Sequence, residues 1–495
     1  MKLPPRRSRR PAARAALALP LALAACTAPA ASPARIHPNE DPSAVVWEYE
    51  VRAVGTPIEA LEVLARFAPG SGGALTLDED AAAFVRGVAV ETREGWRPAL
   101  AEGGSWAAPC AAGCRVRYRY ALREAAMKID DGETAVASGD VVVAPPSTWL
   151  LHPEGPARRG RLRMHLETPP AVRFAAGMHA PPPPAPPGSF EAQTDDLAGS
   201  SYAVFGDFHP SVVTRDGARV DVAIAPHGLT LSDAEVTSWV DRAVEAIGAY
   251  YGRFPAQRAL AVVMAGRPAS DARGVTMGDG GGGVLVRAPG LTSPALVLAA
   301  VRDDWVMTHE LIHVTLPSLP RQQAWLSEGL ASYVEPFARA RVGQLTPEKL
   351  WRDLYDGLPQ GLPLAGDEGL DRTHTWGRTY WGGALFCLLA DVTLREKTAG
   401  ARSLIDALRA VVATGANVEA HWGVEQFLDV ADGGTGTTVL HDLYRSLALA
   451  PGSVDLPALW ARLGVRPEGQ GVAFDEGAPL SPIRRSMTPV QAVPR

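Results

Sequence analysis

Cysteine is scarce: four in 495 residues cannot frame a disulfide-built scaffold, so the fold must rest on an apolar core, which 46% hydrophobic content can supply. Basic residues are not in excess either. With 48 Lys and Arg against 54 Asp and Glu the net charge is −6, which argues against nucleic acid as a partner. The apolar stretch at residues 15–25 is too short to cross a bilayer as a helix. The run Gly280-Gly281-Gly282-Gly283 is not followed by Gly-Lys-Ser/Thr, which removes a phosphate-binding loop from consideration. Histidine is infrequent too, at 11 residues, so the pair standing four apart at His309 and His313 carries information.

That pair lies in His309-Glu310-Leu311-Ile312-His313. On a helix, side chains four apart sit one turn above each other, so both imidazoles can point at one metal ion. Neutral imidazole suits zinc, and a catalytic zinc takes three protein ligands and leaves a fourth position open. Glu328, in Trp325-Leu326-Ser327-Glu328-Gly329-Leu330-Ala331-Ser332-Tyr333, is the natural third ligand, and Glu335 on nearly the same helical face competes with it. Glu310 falls about 100° round the helix from His309. There it stands beside the open position, where a carboxylate can take the proton of an activated water. The flanking residues predict the helices this needs. Ser293 reads as an N-cap and Pro294 as a first-turn residue, and residues 295–301 are strong helix formers leading into the motif. Pro317 and Pro320 mark a turn, and residues 325–335 read as a second helix that returns a carboxylate to the first.

HELIH followed by WLSEGLASY resembles the gluzincin metallopeptidases, in which a glutamate of the second helix completes the zinc site. Downstream, Arg378-Thr379-Tyr380-Trp381-Gly382-Gly383-Ala384-Leu385-Phe386, then residues 390–395, Gly400 and residues 403–409, is similar to the tyrosine-led helix of the glycyl-aminopeptidase family and its relatives, the aminopeptidase N group. The resemblance implies a thermolysin-like catalytic domain with one zinc on His309, His313 and Glu328. It gives Glu310 the role of general base and then proton donor, and Tyr380 that of hydrogen-bonding the oxyanion. Two departures matter. Gly382 stands where the family has a lysine after the tyrosine. The segment from Arg273 to Val286 replaces a short strand whose glutamate grips the substrate's free amino group. Asp279 is the candidate for that missing charge, and the glycine run suits a flexible lip or a backbone edge for an extended peptide. Ser332 stands where some relatives use an aspartate to orient a histidine.

Arg6, Arg7, Arg9, Arg10 and Arg14, the apolar stretch at 15–25 and then Cys26 have the layout of a signal peptide. Leu23-Ala24-Ala25-Cys26 resembles a bacterial lipobox, which implies lipidation of Cys26 and an anchored envelope protein. Thr27 after it points to the outer membrane, facing the periplasm or the cell surface. An oxidising periplasm permits a disulfide between Cys110 and Cys114. Cys387, among Leu385, Phe386, Leu388 and Leu389, reads as a buried thiol.

The expected architecture is α+β and multidomain. Residues 1–25 form the leader and 26–44 an Ala/Pro-rich tether. Residues 45–225, with alternating runs at 47–52, 116–120 and 220–224, form an antiparallel β domain, in which the prolines at 181–187 make a rigid surface loop. Residues 226–410 form the gluzincin domain, opened by a capping box at Ser232 and Glu235; 411–470 are a helical subdomain and 471–495 a frayed tail, with too few residues for the PDZ domain that often ends the family. The function expected is peptide-bond hydrolysis at the envelope by an aminopeptidase-like enzyme on peptide or protein substrates. An endopeptidase is the alternative within that chemistry, and a non-catalytic surface lipoprotein that binds a partner is the alternative outside it.

Overall fold

The computed structural model describes residues 43–155, 159–291, 293–469 and 471–488. The expected leader, the Cys26 anchor and most of the tether lie outside the described residues. Period-two alternation builds the first unit. Along Val45–Val54, Trp47, Tyr49, Val51 and Ala53 are buried while Glu50 and Arg52 face solvent. This strand is central in a seven-stranded sheet ordered Ser189–Gln193, Arg161–Glu167, Val45–Val54, Ala60–Phe67, Cys114–Tyr120, Val85–Thr92, Gly95–Pro98. The antiparallel expectation is corrected at one place, because Val45–Val54 and Arg161–Glu167 run parallel. Parallel neighbours cannot be joined by a hairpin. All the chain between these two strands serves as their crossover, a long-range pairing that alternation within each strand does not reveal. A disulfide joins Cys110 and Cys114 at the entry to Cys114–Tyr120. The buried phenols of Tyr49 and Tyr118 donate to the carbonyls of Leu151 and Trp149, both at 2.9 Å, so neither O–H is left unpaired in the core.

A small sheet ordered Arg173–Ala176, Ala203–Gly206, Val141–Ala144, Val136–Ser138 is covered on both faces. Val142, Ala144, Ala203 and Phe205 join the core of Trp47 and Tyr49. Val141, Val143, Tyr202 and Val204 pack instead on Leu260, Val262 and Met264 of a third sheet. The unbroken apolar run from Val141 to Ala144 is the sequence trace of that double burial.

The third sheet carries the candidate site. Its spatial order is His209–Arg215, Ala218–Ile224, Arg258–Met264, Gly282–Arg287, Arg273–Met277, with the three inner strands parallel and both outer strands antiparallel to their neighbours. The hairpin at 209–224 therefore belongs here, and the boundary expected at residue 225 moves upstream of it. Alternation in 220–224 looks the same in either sheet, so only the partner strand decides. Ala259, Ala261 and Val263 turn toward the helices. The crossover helix Asp233–Tyr251 opens with the Ser232/Glu235 capping box and ends at Gly252 in the left-handed region, φ 96°.

Residues 293–315, expected as one continuous helix, form two: Pro294–Asp303 and Val306–Thr315. The break is at Asp304, whose partly buried carboxylate accepts from the Met307 N–H at 3.0 Å and from the Trp239 indole at 3.2 Å. A short acidic side chain that captures backbone N–H groups starts a helix rather than continuing one. Helix Leu404–Ala413 is followed by Val424–Thr435 and Leu456–Leu463, which lie in the segment expected to be helical. The tail expected to fray after about residue 470 is folded as far as Met487. Val465–Glu468 pairs with Gly471–Phe474, and helix Ser481–Met487 buries Arg484 and Met487. The Arg484 guanidinium lies 4.2 Å from the Phe474 ring centre, so a segment that reads as polar is held by a cation–π contact.

Burial pushes the Asp304 carboxyl up to about 6, against the N–H groups that favour its charge. Its folded value exceeds that of an exposed aspartate, so the folded protein holds an extra proton between about pH 4 and pH 6. Stability should fall as pH rises through that window. Asp304→Asn keeps a capping oxygen but does not titrate. Its stability relative to the parent should therefore improve between about pH 4 and pH 7, by on the order of 1–3 kcal/mol, read by denaturant unfolding at both values. A difference independent of pH would contradict this account of Asp304.

Candidate active site

Helix Val306–Thr315 is buried along its length except at His313, which is partly exposed. It packs on the strands Gly282–Arg287 and Arg273–Met277 and on the helices Asp233–Tyr251 and Ala324–Arg341. One turn apart, His309 and His313 bring their Nε2 atoms to 3.2 Å. Oε2 of Glu328, from helix Ala324–Arg341, lies 3.2 Å from the first and 3.5 Å from the second. These three form the one group of three possible metal ligands found among the described residues. Zinc with tetrahedral ligands at about 2.0–2.1 Å holds them about 3.3 Å apart, so the triangle has the size of one face of that tetrahedron. Burial alone would raise the Glu328 carboxyl, but the charges and hydrogen bonds of His313 and His309 outweigh it and hold it below the usual carboxylate range.

Glu335, the competing ligand, stands outside the triangle in a buried ion pair with Arg339 at 2.7 Å. His309 is fixed by the edge of the Trp305 ring, centroids 5.2 Å apart. Its buried Nδ1 has no hydrogen-bond partner among the described residues, so Ser332 does not orient His309 as the aspartate would.

Glu310 faces the edge strand Arg273–Met277. The Thr276 hydroxyl lies 2.8 Å from Glu310 Oε2 and 3.0 Å from the Glu310 carbonyl oxygen. Gly274, two residues earlier on the same face, lies so close that a Cβ there would overlap the Glu310 side chain. Neither residue stands out in the sequence as a partner of Glu310. Their spacing of two in a strand was the available signal, but alternation does not say which helix a strand covers.

A close helix crossing positions the remaining groups. A Cβ on Gly329 would collide with the Gly383 backbone, and one on Gly383 with the Trp325 carbonyl. The approach seats Glu328 beside the turn that carries Tyr380, a π-helical segment Arg378–Gly382 running into helix Gly383–Lys397. The Tyr380 ring is 6.3 Å from that of His309, with planes 27° apart, and 5.7 Å from Trp376. Gly382, where the family has a lysine, is buried, and a Cβ there would stand 2.7 Å from Leu370 Cδ2, so a side chain would require Leu370 to shift. Below the crossing, Asp371 accepts from the Trp325 indole at 2.7 Å and the Gln323 amide at 2.9 Å, and Asp391 accepts from Tyr333 at 2.9 Å. Cys387 is buried in the same helix, and burial pushes its thiol up.

Asp279 is committed to a different contact. Its carboxylate pairs with His421 at 3.0 Å, and its backbone is bonded to Gly199 and Ser201. Nearby, His179 pairs with Glu419 at 2.8 Å. Burial raises the Asp279 carboxyl, and His421 only partly offsets this. The glycine run is a packed junction rather than a lip. Gly278, Gly280, Gly281, Gly282 and Gly283 are all buried, and a Cβ at Gly278 or Gly281 would strike Val418 or the Gly177 carbonyl. The free edge lies instead at Arg273–Met277, which has a strand on one side only.

Neither a protein-family model nor a curated protein matches the sequence. Among solved structures, the fold is similar to that of an aminopeptidase N family protein from Idiomarina loihiensis. That likeness has a TM-score of 0.62 at 15% identity and covers 85% of this chain and 78% of that one. At this identity it shows the fold: a sheet-rich first part followed by a helical part, arranged as in that protein.

The glycine crossing can be tested directly. Gly383→Ala should cost about 1–3 kcal/mol by overpacking and loosen any metal held through Glu328. Gly433→Ala, where a Cβ in helix Val424–Thr435 meets nothing within 4 Å, should stabilise by up to about 1 kcal/mol. Unfolding curves of the two variants beside the parent check the contrast, and equal effects would contradict it.

Proposed function

We propose that the chain is a zinc-dependent peptide-bond hydrolase of the gluzincin type, thermolysin-like in its catalytic part, with one Zn²⁺ on His309, His313 and Glu328. The observation that carries this reading is the ligand triangle with edges of 3.2, 3.2 and 3.5 Å. Two imidazoles and a carboxylate are a donor set that suits zinc. The likeness in fold to an aminopeptidase N family protein supports a peptidase. A bound zinc would supply Lewis acidity to a carbonyl and acidity to a water. Glu310 accepts the water's proton on a carboxylate oxygen and returns it to the leaving nitrogen. The Tyr380 O–H donates to the carbonyl oxygen as that oxygen gains charge. The edge strand Arg273–Met277 offers backbone groups along which an extended substrate can lie as an added strand. Residues 1–26, outside the described region, are the basis for placing the enzyme on the bacterial envelope through a lipid on Cys26.

Substrate polarity turns on Asp279. An aminopeptidase must pair a free ammonium near the metal with an acid, since an unpaired buried charge costs several kcal/mol. Asp279 is already paired with His421, and the edge strand presents the exposed cation Arg273. Both observations favour the endopeptidase over the aminopeptidase form. Peptides offered with free and with acetylated N-termini should be cleaved alike at internal bonds, with products read by mass. Cleavage confined to the free peptides would restore the aminopeptidase form.

Metal binding and chemistry should separate by mutation. His313→Ala should lose zinc, measured as metal per chain after dialysis against a mild chelator. Glu310→Gln should keep zinc while hydrolysis falls by on the order of 10² to 10⁴, the range for removing a general base. Full zinc retention in the first variant, or normal turnover in the second, would contradict the assignment concerned.

A further inference from the structure

We infer that Thr276 is a positioning residue for Glu310, and that the edge strand fixes the base through Thr276 and Gly274 together. The inference rests on the hydrolase reading above. A glutamate side chain has three rotatable torsions, and ordering it costs rotamer entropy that some contact must offset. Thr276 supplies that contact. Its hydroxyl has one hydrogen to donate, and of its two close acceptors, the Glu310 Oε2 at 2.8 Å and the Glu310 carbonyl at 3.0 Å, the carboxylate is the stronger. With Oε2 held by the strand, Oε1 remains for proton transfer.

Gly274 sets the distance as Thr276 sets the rotation. A Cβ at Gly274 would stand 2.7 Å from Glu310 Oε1, closer than any real Cβ comes, so only a glycine lets the strand lie flat against the base. The strand cannot drift from this position. Gly274 and Thr276 are paired with Val286 and Val284 of the neighbouring strand, and Gly282 at the start of that strand packs on Val314, one turn along the helix from Glu310. Neither Gly274 nor Thr276 belongs to the ligand triangle. Loss of the hydroxyl should therefore disturb the base and leave the metal in place.

The test compares Thr276→Val, which keeps the shape and removes the donor, with Thr276→Ser, which keeps the donor. Metal per chain, KM and kcat are measured on the same samples with a peptide substrate. Thr276→Val should retain zinc and KM while kcat falls by on the order of 10-fold to 10²-fold, as for a misplaced catalytic group. Thr276→Ser should recover most of that loss. In a Glu310→Gln background, Thr276→Val should add nothing, because the group it positions is gone. Thr276→Ala serves where the valine variant does not fold. Parental kcat in Thr276→Val, or the same fold-loss in both backgrounds, would overturn the inference. Absence of peptide hydrolysis by the parent protein would overturn the hydrolase reading instead, and parental kcat in Glu310→Gln would overturn the base assignment, so the failures are distinguishable.

Discussion

The approach of His309 Nε2, His313 Nε2 and Glu328 Oε2 to within 3.2–3.5 Å is the constraint on which the packing around the candidate site depends. Three electron-rich atoms at that separation repel one another unless a cation or shared protons lie between them. A low-dielectric surrounding strengthens both that repulsion and its relief. The protein meets the cost with rigidity. The helix carrying both histidines is buried along nearly its whole length, and Asp304 caps its first turn. The helix carrying Glu328 is tied at one end to Asp371 through Trp325 and farther along to Asp391 through Tyr333.

Precision at the site comes from residues that have no side chain. Gly329 and Gly383 let two helices touch backbone to backbone, and Gly274 lets a strand lie against Glu310. The first contact seats Glu328 beside the turn that carries Tyr380, and the second sets Gly274 and Thr276 against Glu310. Behind them the sheets are stacked so that alternate residues of single strands serve different cores. Val142 and Ala144 face one layer while Val141 and Val143 face the next. The edge strand is thus anchored from behind by two covered sheets, with a neighbouring strand on one side only.

The pattern of spacing in the chain told much of this. Two histidines four apart and a glutamate in the following helix are local facts, and so is the Ser232/Glu235 capping box that opens helix Asp233–Tyr251. Illegible were the relations that join distant segments. The parallel pairing of Val45–Val54 with Arg161–Glu167 and the seat of hairpin 209–224 in the sheet of the candidate site both depend on partners far along the chain. The apolar period runs through Asp304 and hides the break there, and the polar composition of the tail hides its anchor, an arginine over a phenylalanine ring. Asp279 looked available by position, but its His421 partner is 142 residues away. Thr276 carried no signal that it would meet Glu310.

The central claim is that three side chains are already arranged as one face of a zinc tetrahedron, and zinc-edge X-ray absorption on the purified protein tests it most directly. The account predicts a first shell of nitrogen and oxygen only, about four atoms at roughly 2.0–2.2 Å, with the outer-shell scattering of two imidazoles. That shell should lose one imidazole in His313→Ala if any metal remains. A sulfur in the first shell, a six-coordinate oxygen environment, or a spectrum unchanged by that substitution would contradict it.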